Sequence, residues 1–314
     1  MGQMTPLFTL FGINCYPYGL ALSLGVLCAT ILLVIQFKNQ YSKPEDGLRF
    51  ALWAIPLALI FSRVVYYLIR MDALSYDYGA TFLYKFTAGG YSMVGAILGI
   101  FLAVVIFGSI SKRGTVATMD IVTPSLLLVT ALASFAEYTT TEGIGEYVYN
   151  EALQFFPISL ADQYGDYMLP IFLWEGIFAL VVMCFTLRKG KKKGDTTLLA
   201  ICLYSIPQII FESLRRDSFL RFGFVRFNQL FFVLLLLIPL VVWLRNSSAL
   251  RKTIAYSGYV VGVVGLILLE FAFDKSSINN GLLYAIMTLL LLCLLMGGLV
   301  LRRDWLEKPY TKRN

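Results

Sequence analysis

The sequence predicts an all-α protein, a polytopic transmembrane helical bundle, and three observations carry that reading. Hydrophobic residues make up 58% of the 314-residue chain and charged residues only 14%. A water-facing shell takes roughly a quarter or more of Lys, Arg, Asp and Glu. The apolar residues gather into runs of about 20, the length at which a helix crosses a bilayer. Short basic clusters separate those runs, as orientation signals do.

The runs, in order, are Tyr18–Phe37, Phe50–Ile69, Tyr91–Ile110, Met119–Ala136, Tyr167–Leu187, Thr196–Leu214, Asn228–Leu244, Ile254–Phe273 and Gly281–Leu301. Lipid leaves any unpaired backbone amide unsatisfied, so such runs can only be helices. The sixth is the weakest, because Pro207 interrupts it and Glu212 closes it. Lys and Arg concentrate on one set of loops: Lys38, Lys43 and Arg49; Lys112 and Arg113; Arg188–Lys193; Arg245, Arg251 and Lys252; and the tail beyond Leu301. The opposite loops carry fewer, Arg70, Lys85, Arg215, Arg216, Arg221, Arg226 and Lys275. The positive-inside rule therefore predicts an N-out, C-in topology. The longest outer loop, residues 137–166, exceeds an ordinary connector and predicts a lid or a small folded arm.

Composition also narrows the function classes. A net charge of +7 comes without a basic stripe interleaved with aromatics, so no nucleic-acid partner is expected. Five scattered cysteines, Cys15, Cys28, Cys184, Cys202 and Cys293, form no CxxC pair and read mostly as small apolar packing residues. Histidine is absent, which removes any imidazole base or ligand. No metal or organic cofactor is expected. No basic segment precedes the first run, so no cleavable signal is expected either.

Ionisable residues cluster by depth toward the outer leaflet. Arg63 lies in the outer third of the second run, and Glu175 about 12 Å below the outer start of the fifth. Glu137 and Glu142 follow the fourth run, and Glu212 and Arg215 mark the end of the sixth. Tyr18 and Gly89-Gly90 open the first and third runs from the same side. Asp120 starts the fourth run from the cytoplasmic side, and Glu270 closes the eighth near the outer surface. Charges within a span cost roughly 2.5–3.5 kcal/mol or more and so face the bundle interior. Two readings follow: ion pairs that lock helices, such as Arg63 with Glu175, or a polar chamber for a ligand. Gly89-Gly90 is either helix-end punctuation or a place where backbone approaches a lipid headgroup.

These residues resemble the signatures of the bacterial prolipoprotein diacylglyceryl transferases, in order over roughly Tyr16 to Leu244. Tyr18-Gly19 opens the first span, and Arg63 and Tyr67 close the second. Gly89-Gly90-Tyr91-Ser92-Met93-Val94-Gly95 is similar to GGxSxHG. Asp120 and Pro124 resemble D-x-x-x-P, and residues 133–145 resemble the long GRxxNFxNxExxG signature with a shifted Phe135, Glu142 and Gly145. Pro170–Glu175 is similar to PxQLYE. Tyr204, Glu212 and Arg215 match Y-x3-R-x3-E-x2-R, and Asn228-Gln229 resembles the closing Gly-Gln.

The resemblance implies transfer of a diacylglyceryl group from phosphatidylglycerol to a lipobox cysteine thiol in the bacterial plasma membrane, with release of glycerol phosphate. It also implies that the His of GGxSxHG and two Arg residues supply a base and phosphate clamps. Here those positions are Val94, Ser134 and Gln208, and Glu137 stands at an Asn position. Neither Ser nor Gln replaces the charged planar fork of guanidinium. The catalytic candidates carried over are Glu142, Glu212, Arg215, Tyr204 and Tyr18. The lipid-binding candidates are Arg63, Gly89, Gly90, Ser92, Glu137 and Glu175.

Expected partners are a phospholipid and a prolipoprotein signal segment. Three readings stay open: a transferase with a rearranged site using a glutamate base, a non-catalytic relative that binds lipid or lipoprotein, and an enzyme or carrier for another lipid. Residues 1–253 read as a transferase-like core of about seven spans. Residues 254–314 read as two additional helices and a basic tail.

Overall fold

The computed structural model describes residues 6–10, 13–71, 79–84, 89–140, 142–162, 164–188, 190, 192–216, 221–222, 225–275 and 278–307. Among the orientation residues, Lys85, Lys189, Lys191 and those beyond Glu307 lie outside them. Among the described residues the chain forms α1 (Pro17–Tyr41), α2 (Pro44–Ile69), α3 (Met93–Ile110), α4 (Thr115–Glu137) and α5 (Ile171–Thr186). It continues through α6 (Asp195–Leu214), α7 (Phe227–Leu244), α8 (Ala249–Lys275) and α9 (Asn280–Glu307). Eight of these are long and apolar enough to cross a membrane, α5 being the exception. The fold is that of a polytopic helical membrane protein.

Two expectations need correction. The fifth run was expected to span from Tyr167, but its helix begins at Ile171 and covers 16 residues, about 24 Å of rise. The missing turn is strand: β1 (Leu160–Ala161) pairs antiparallel with β2 (Tyr167–Met168). Glu175 therefore lies one turn into its helix, about 6 Å, and not 12 Å. The sixth run, expected to be the weakest, is one continuous 20-residue helix with Pro207 inside it. Pro207 costs one intrahelical bond, but α6 packs against α5, α7 and α9, and neighbouring helices are what make such breaks tolerable in lipid.

The chain divides into two compact units, residues 26–126 and residues 1–25 with 127–314, so that α1 and α4 each contribute to both. In the first unit, α2 begins with Pro44 and carries Glu45 and Asp46 in its first turn, where fixed φ and negative charge suit a helix N-terminus. Its core joins Leu33, Phe37, Phe50, Ala54, Val104 and Phe107, with Phe107 edge-on to Phe37 and Phe50 at 5.8 and 5.6 Å. Asp46 is ion-paired with Arg113, whose guanidinium lies 4.4 Å from the Tyr41 ring centroid.

Among the described residues helices α2 and α3 make the most extensive helix pair, and the reason is local. Gly95 and Gly99 bring the two backbones together: a Cβ on Gly95 would meet Phe61 O at 2.4 Å, and one on Gly99 would meet Leu57 O at 2.3 Å. Two small residues four apart allow this approach, the usual packing device between helices in lipid.

In the second unit, α6 to α9 share a core of Leu198, Ile206, Phe232, Trp243, Leu266 and Met287. Arg302 of α9 grips Asp195 at the start of α6 through Nε and Nη2 at 2.7 and 2.9 Å. Gly176 of α5 lets the Phe135 ring of α4 lie where a Cβ would sit, 2.3 Å away. Of the cysteines only Cys202 is buried. Cys28, Cys184 and Cys293 are exposed, so they are not the packing residues the sequence suggested.

The long outer loop is a folded arm. Val148 N–H donates to Tyr167 O at 2.8 Å, and Leu169 N–H to Glu146 O at 3.1 Å. Ser159 Oγ donates to Leu153 O at 2.9 Å, and the Trp174 indole of α5 donates to Pro157 O at 3.0 Å. These bonds tie the arm to itself and to the start of α5.

Candidate functional site

The second unit gathers most of the candidates around one guanidinium. Arg215 directly follows α6, its backbone turning from helical to extended at φ −67°, ψ 141°. Its side chain reaches carboxylates on three helices. Nη2 contacts Glu137 Oε2 at the end of α4 and lies 3.4 Å from Glu175 Oε2 of α5. Nη1 lies 3.9 Å from Glu212 Oε1, one turn earlier on α6. Asn228 Nδ2 of α7 donates to that same Glu212 oxygen at 2.8 Å. The Arg215 carbonyl accepts from Arg226, the residue that precedes α7.

The arm closes over this group by backbone bonding. Arg216 N–H donates to Ile144 O at 3.0 Å, and Phe172 N–H donates to Gly143 O at 2.8 Å. Gly143 has φ +67°, a region that favours glycine. A Cβ there would also sit 2.3 Å from Glu137 Oε2 and 3.0 Å from Arg215 Nη2. Glycine thus lets the main chain pass against the ion pair, a constraint the sequence reading did not identify.

The remaining candidates of this unit are Tyr204, Tyr18 and Glu142. Tyr204 Oη accepts from Gln208 Nε2 at 2.8 Å and lies within electrostatic reach of Glu175, Arg215, Glu137 and Glu212. Tyr18, at the start of α1, is within reach of Glu137, Glu142 and Arg215. Glu142 is exposed, and its backbone N–H donates to Thr140 Oγ1 at 3.3 Å. It belongs to the rim, while Glu137, Glu175 and Glu212 belong to the centre. Among the described residues no three His, Cys, Asp or Glu side chains converge as metal ligands would.

The other unit holds Arg63, Gly89, Gly90 and Ser92. Arg63 is 1% exposed. Nε and Nη2 donate to Phe82 O at 3.2 and 2.9 Å, and Nη1 donates to Gly90 O at 3.0 Å. The guanidinium lies 3.6 Å from the Phe82 ring centroid and 5.2 Å from that of Tyr91. Gly90 has φ +81°, and a Cβ on it would strike the Tyr66 and Phe82 rings at 2.7 and 2.8 Å. Gly90 is therefore needed for packing around Arg63 and is more than helix-end punctuation. Gly89, at φ +69°, has nothing within 4 Å of its Cβ position. Ser92 caps α3, accepting from Gly95 N–H at 3.4 Å. Its own N–H donates to Ser62 Oγ at 2.8 Å, and its carbonyl accepts from the same hydroxyl at 2.8 Å.

The three positions where the resemblance implies a base and phosphate clamps are buried: Val94 on α3, Ser134 on α4 and Gln208 on α6 at 5%, 6% and 2% exposure. None carries a charge or a strong base. Two contributors escaped the sequence reading. Arg226 gave no signal beyond its count among basic residues. Glu270, placed by depth toward the outer face, is buried on α8 and accepts from Gln229 Nε2 at 2.6 Å.

Glu175 offers a direct check on the cluster. Glu175→Ala removes a buried carboxylate from Arg215 and is expected to cost roughly 1.5–3 kcal/mol. SDS titration of the purified protein, together with its co-purified phospholipid, measures the effect. Unchanged unfolding midpoint and unchanged lipid content would remove Glu175 from the site.

Comparison with known proteins matches the chain to one family. Residues 6–245 match the profile of the prolipoprotein diacylglyceryl transferases, ending before α8 and α9. The chain is 26% identical over 235 residues to a phosphatidylglycerol–prolipoprotein diacylglyceryl transferase of Limosilactobacillus reuteri, covering 72% of this chain and 84% of the relative. A Streptococcus pneumoniae relative of the same name is 28% identical over 239 residues, covering 74% and 90%. One from Clostridium botulinum is 29% identical over 223 residues, covering 69% and 87%.

Proposed function

We propose, for a chain that belongs to the prolipoprotein diacylglyceryl transferase family, that it carries out diacylglyceryl transfer at the Arg215 cluster with a carboxylate as base. The donor is a phospholipid, phosphatidylglycerol in the relatives' names, and the acceptor is the cysteine thiol of a prolipoprotein signal segment. The charge asymmetry of its loops orients this site to the extracytoplasmic face of a bacterial plasma membrane.

The observation that carries the reading is the convergence of Glu137, Glu175 and Glu212 on Arg215. The reaction needs a proton acceptor for the thiol, since the thiolate is the nucleophile. A positioned carboxylate can take that proton. Sulfur then attacks the glyceryl carbon that bears the phosphate ester. A C–S bond forms, the C–O bond breaks, and the electron pair leaves with glycerol phosphate. Positive charge beside the departing phosphate stabilises the developing anion. Arg215 can supply it because two of its carboxylate contacts are loose, at 3.4 and 3.9 Å. Glu212 fits the base role best: it is 3% exposed, and Asn228 orients one of its oxygens.

A second reading is favoured by a specific feature. Gln208 uses its amide to hold Tyr204, and buried Ser134 has no charge to offer, so the cationic groups facing the phosphate are fewer than the resemblance implies. On this reading the chain binds phospholipid or lipoprotein without turning it over and assists another enzyme.

Rescue of a transferase-depleted bacterium separates the two. The wild-type chain is expected to restore lipoprotein modification, and Glu212→Gln to reduce it by roughly 10²–10⁴-fold, the usual worth of a general base. Equal rescue by Glu212→Gln would remove Glu212 from that role. No rescue by wild-type protein demonstrated in the membrane would remove the transfer reading.

A further inference from the structure

Helices α8 and α9 follow residue 245, where the family match ends, yet both reach the polar cluster of their unit. On α8, Glu270 is 8% exposed and Oε1 accepts from Gln229 Nε2 at 2.6 Å. Gln229 is the third residue of α7, and the same amide donates to Ile209 O of α6 at 3.1 Å. Its neighbour Asn228 holds Glu212. On α9, Tyr284 Oη reaches Ser213 O, next to Glu212, at 3.4 Å, and its ring packs 4.3 Å from that of Phe273.

Docking of this hairpin needs no charge. Leu266, Met287 and Leu291 already bury an apolar seam against α6 and α7. A carboxylate within an apolar span is costly, so Glu270 contributes something other than adhesion. What it contributes is orientation. Both acceptors that fix the Gln229 amide, Glu270 Oε1 and Ile209 O, bind its NH2, while Gln229 Oε1 is buried with no hydrogen-bond partner. Remove Glu270 and one of the two anchors of the Gln229 amide is gone.

We propose that Glu270 is a positioning residue of the site: from α8 it fixes Gln229 and the first turn of α7, so that Asn228 holds Glu212 beside Arg215. The α8–α9 hairpin is then built into the site as its support. The positioning stands on geometry alone. Its consequence for transfer rests on the function proposed above.

Hydrogen exchange on the full-length protein in detergent micelles tests this, with three variants. Glu270→Met removes the acceptor at similar length, Glu270→Gln keeps an acceptor, and Arg302→Met loosens the hairpin at its other end. Glu270→Met is expected to speed exchange in residues 229–235 about tenfold, the worth of a buried bond to a charged group. Glu270→Gln is expected to stay within about twofold of wild type. Arg302→Met is expected to affect residues 195–200 and leave 229–235 unchanged. In the rescue assay Glu270→Met should lower lipoprotein modification and Glu270→Gln should restore it.

Unchanged exchange in Glu270→Met would overturn the proposal. So would equal losses in Glu270→Gln, or a lowered unfolding midpoint with no local change at 229–235. If exchange follows the expected pattern while no variant, wild type included, rescues the bacterium, the positioning holds and the transfer reading falls.

Discussion

Arg215→Ala is expected to destabilise the protein by about 3–5 kcal/mol, the cost of breaking a buried ion pair from one side. The reason is what it leaves behind. Glu137, Glu175 and Glu212 come within contact distance of this one guanidinium, with side chains 19%, 5% and 4% exposed. Without it their mutual repulsion acts in a setting that screens poorly. The Arg215 backbone, which pairs with Gly145 and accepts from Arg226, is untouched by the substitution, so the loss reports the side chain. SDS titration in mixed micelles measures it. A second substitution, Glu137→Gln, should recover part of the loss by removing the carboxylate in closest contact. If Arg215→Ala unfolds at the wild-type midpoint, these contacts carry no stability, and the case for a joint site weakens with them. Arg215→Lys keeps the charge but not the planar fork that addresses several carboxylates together, and should fall between.

The spans were legible because bilayer length and hydropathy act on each segment alone. Where neighbours decide, the sequence was silent. Tyr167 and Met168 are apolar enough to extend a helix, but Met168 pairs with Leu160 and bridges Tyr147, so the partner strand sets the boundary. Pro207 reads locally as a break, and only packing around α6 keeps that helix continuous. Depth along the spans put Glu175, Glu212 and Arg215 toward the same leaflet, since helical rise converts position to height, but it set Glu175 about twice as deep as its helix does. Depth could not name the acceptors of Arg63. They are the carbonyls of Phe82 and Gly90, and a backbone carbonyl leaves no mark in residue type. Glu270 failed for a related reason: its height was readable, but the helix face it turns toward Gln229 is a tertiary fact.

Gly95 and Gly99 have the GxxxG spacing that lets helices approach closely in lipid, and they set the α2–α3 packing. Gly99→Val is expected to cost more than about 3 kcal/mol, beyond ordinary overpacking. The atoms its Cβ would meet are the Leu57 carbonyl oxygen at 2.3 Å and carbon at 2.6 Å, with Ala58 Cα at 2.9 Å. These are main-chain atoms, so no rotamer change relieves the clash and the helices must separate. Separation would also strain the Ser62–Ser92 bonds that tie the same two elements. The yield of monodisperse protein and the SDS unfolding midpoint should both fall. Gly258→Ala, where nothing lies within 4 Å of the Cβ position, should be neutral or stabilise by up to about 1 kcal/mol. The sharper discriminator is the double variant with Leu57→Ala. Truncating that side chain cannot move its carbonyl, so the defect should persist; recovery would mean that side chains, not backbones, set the distance between α2 and α3.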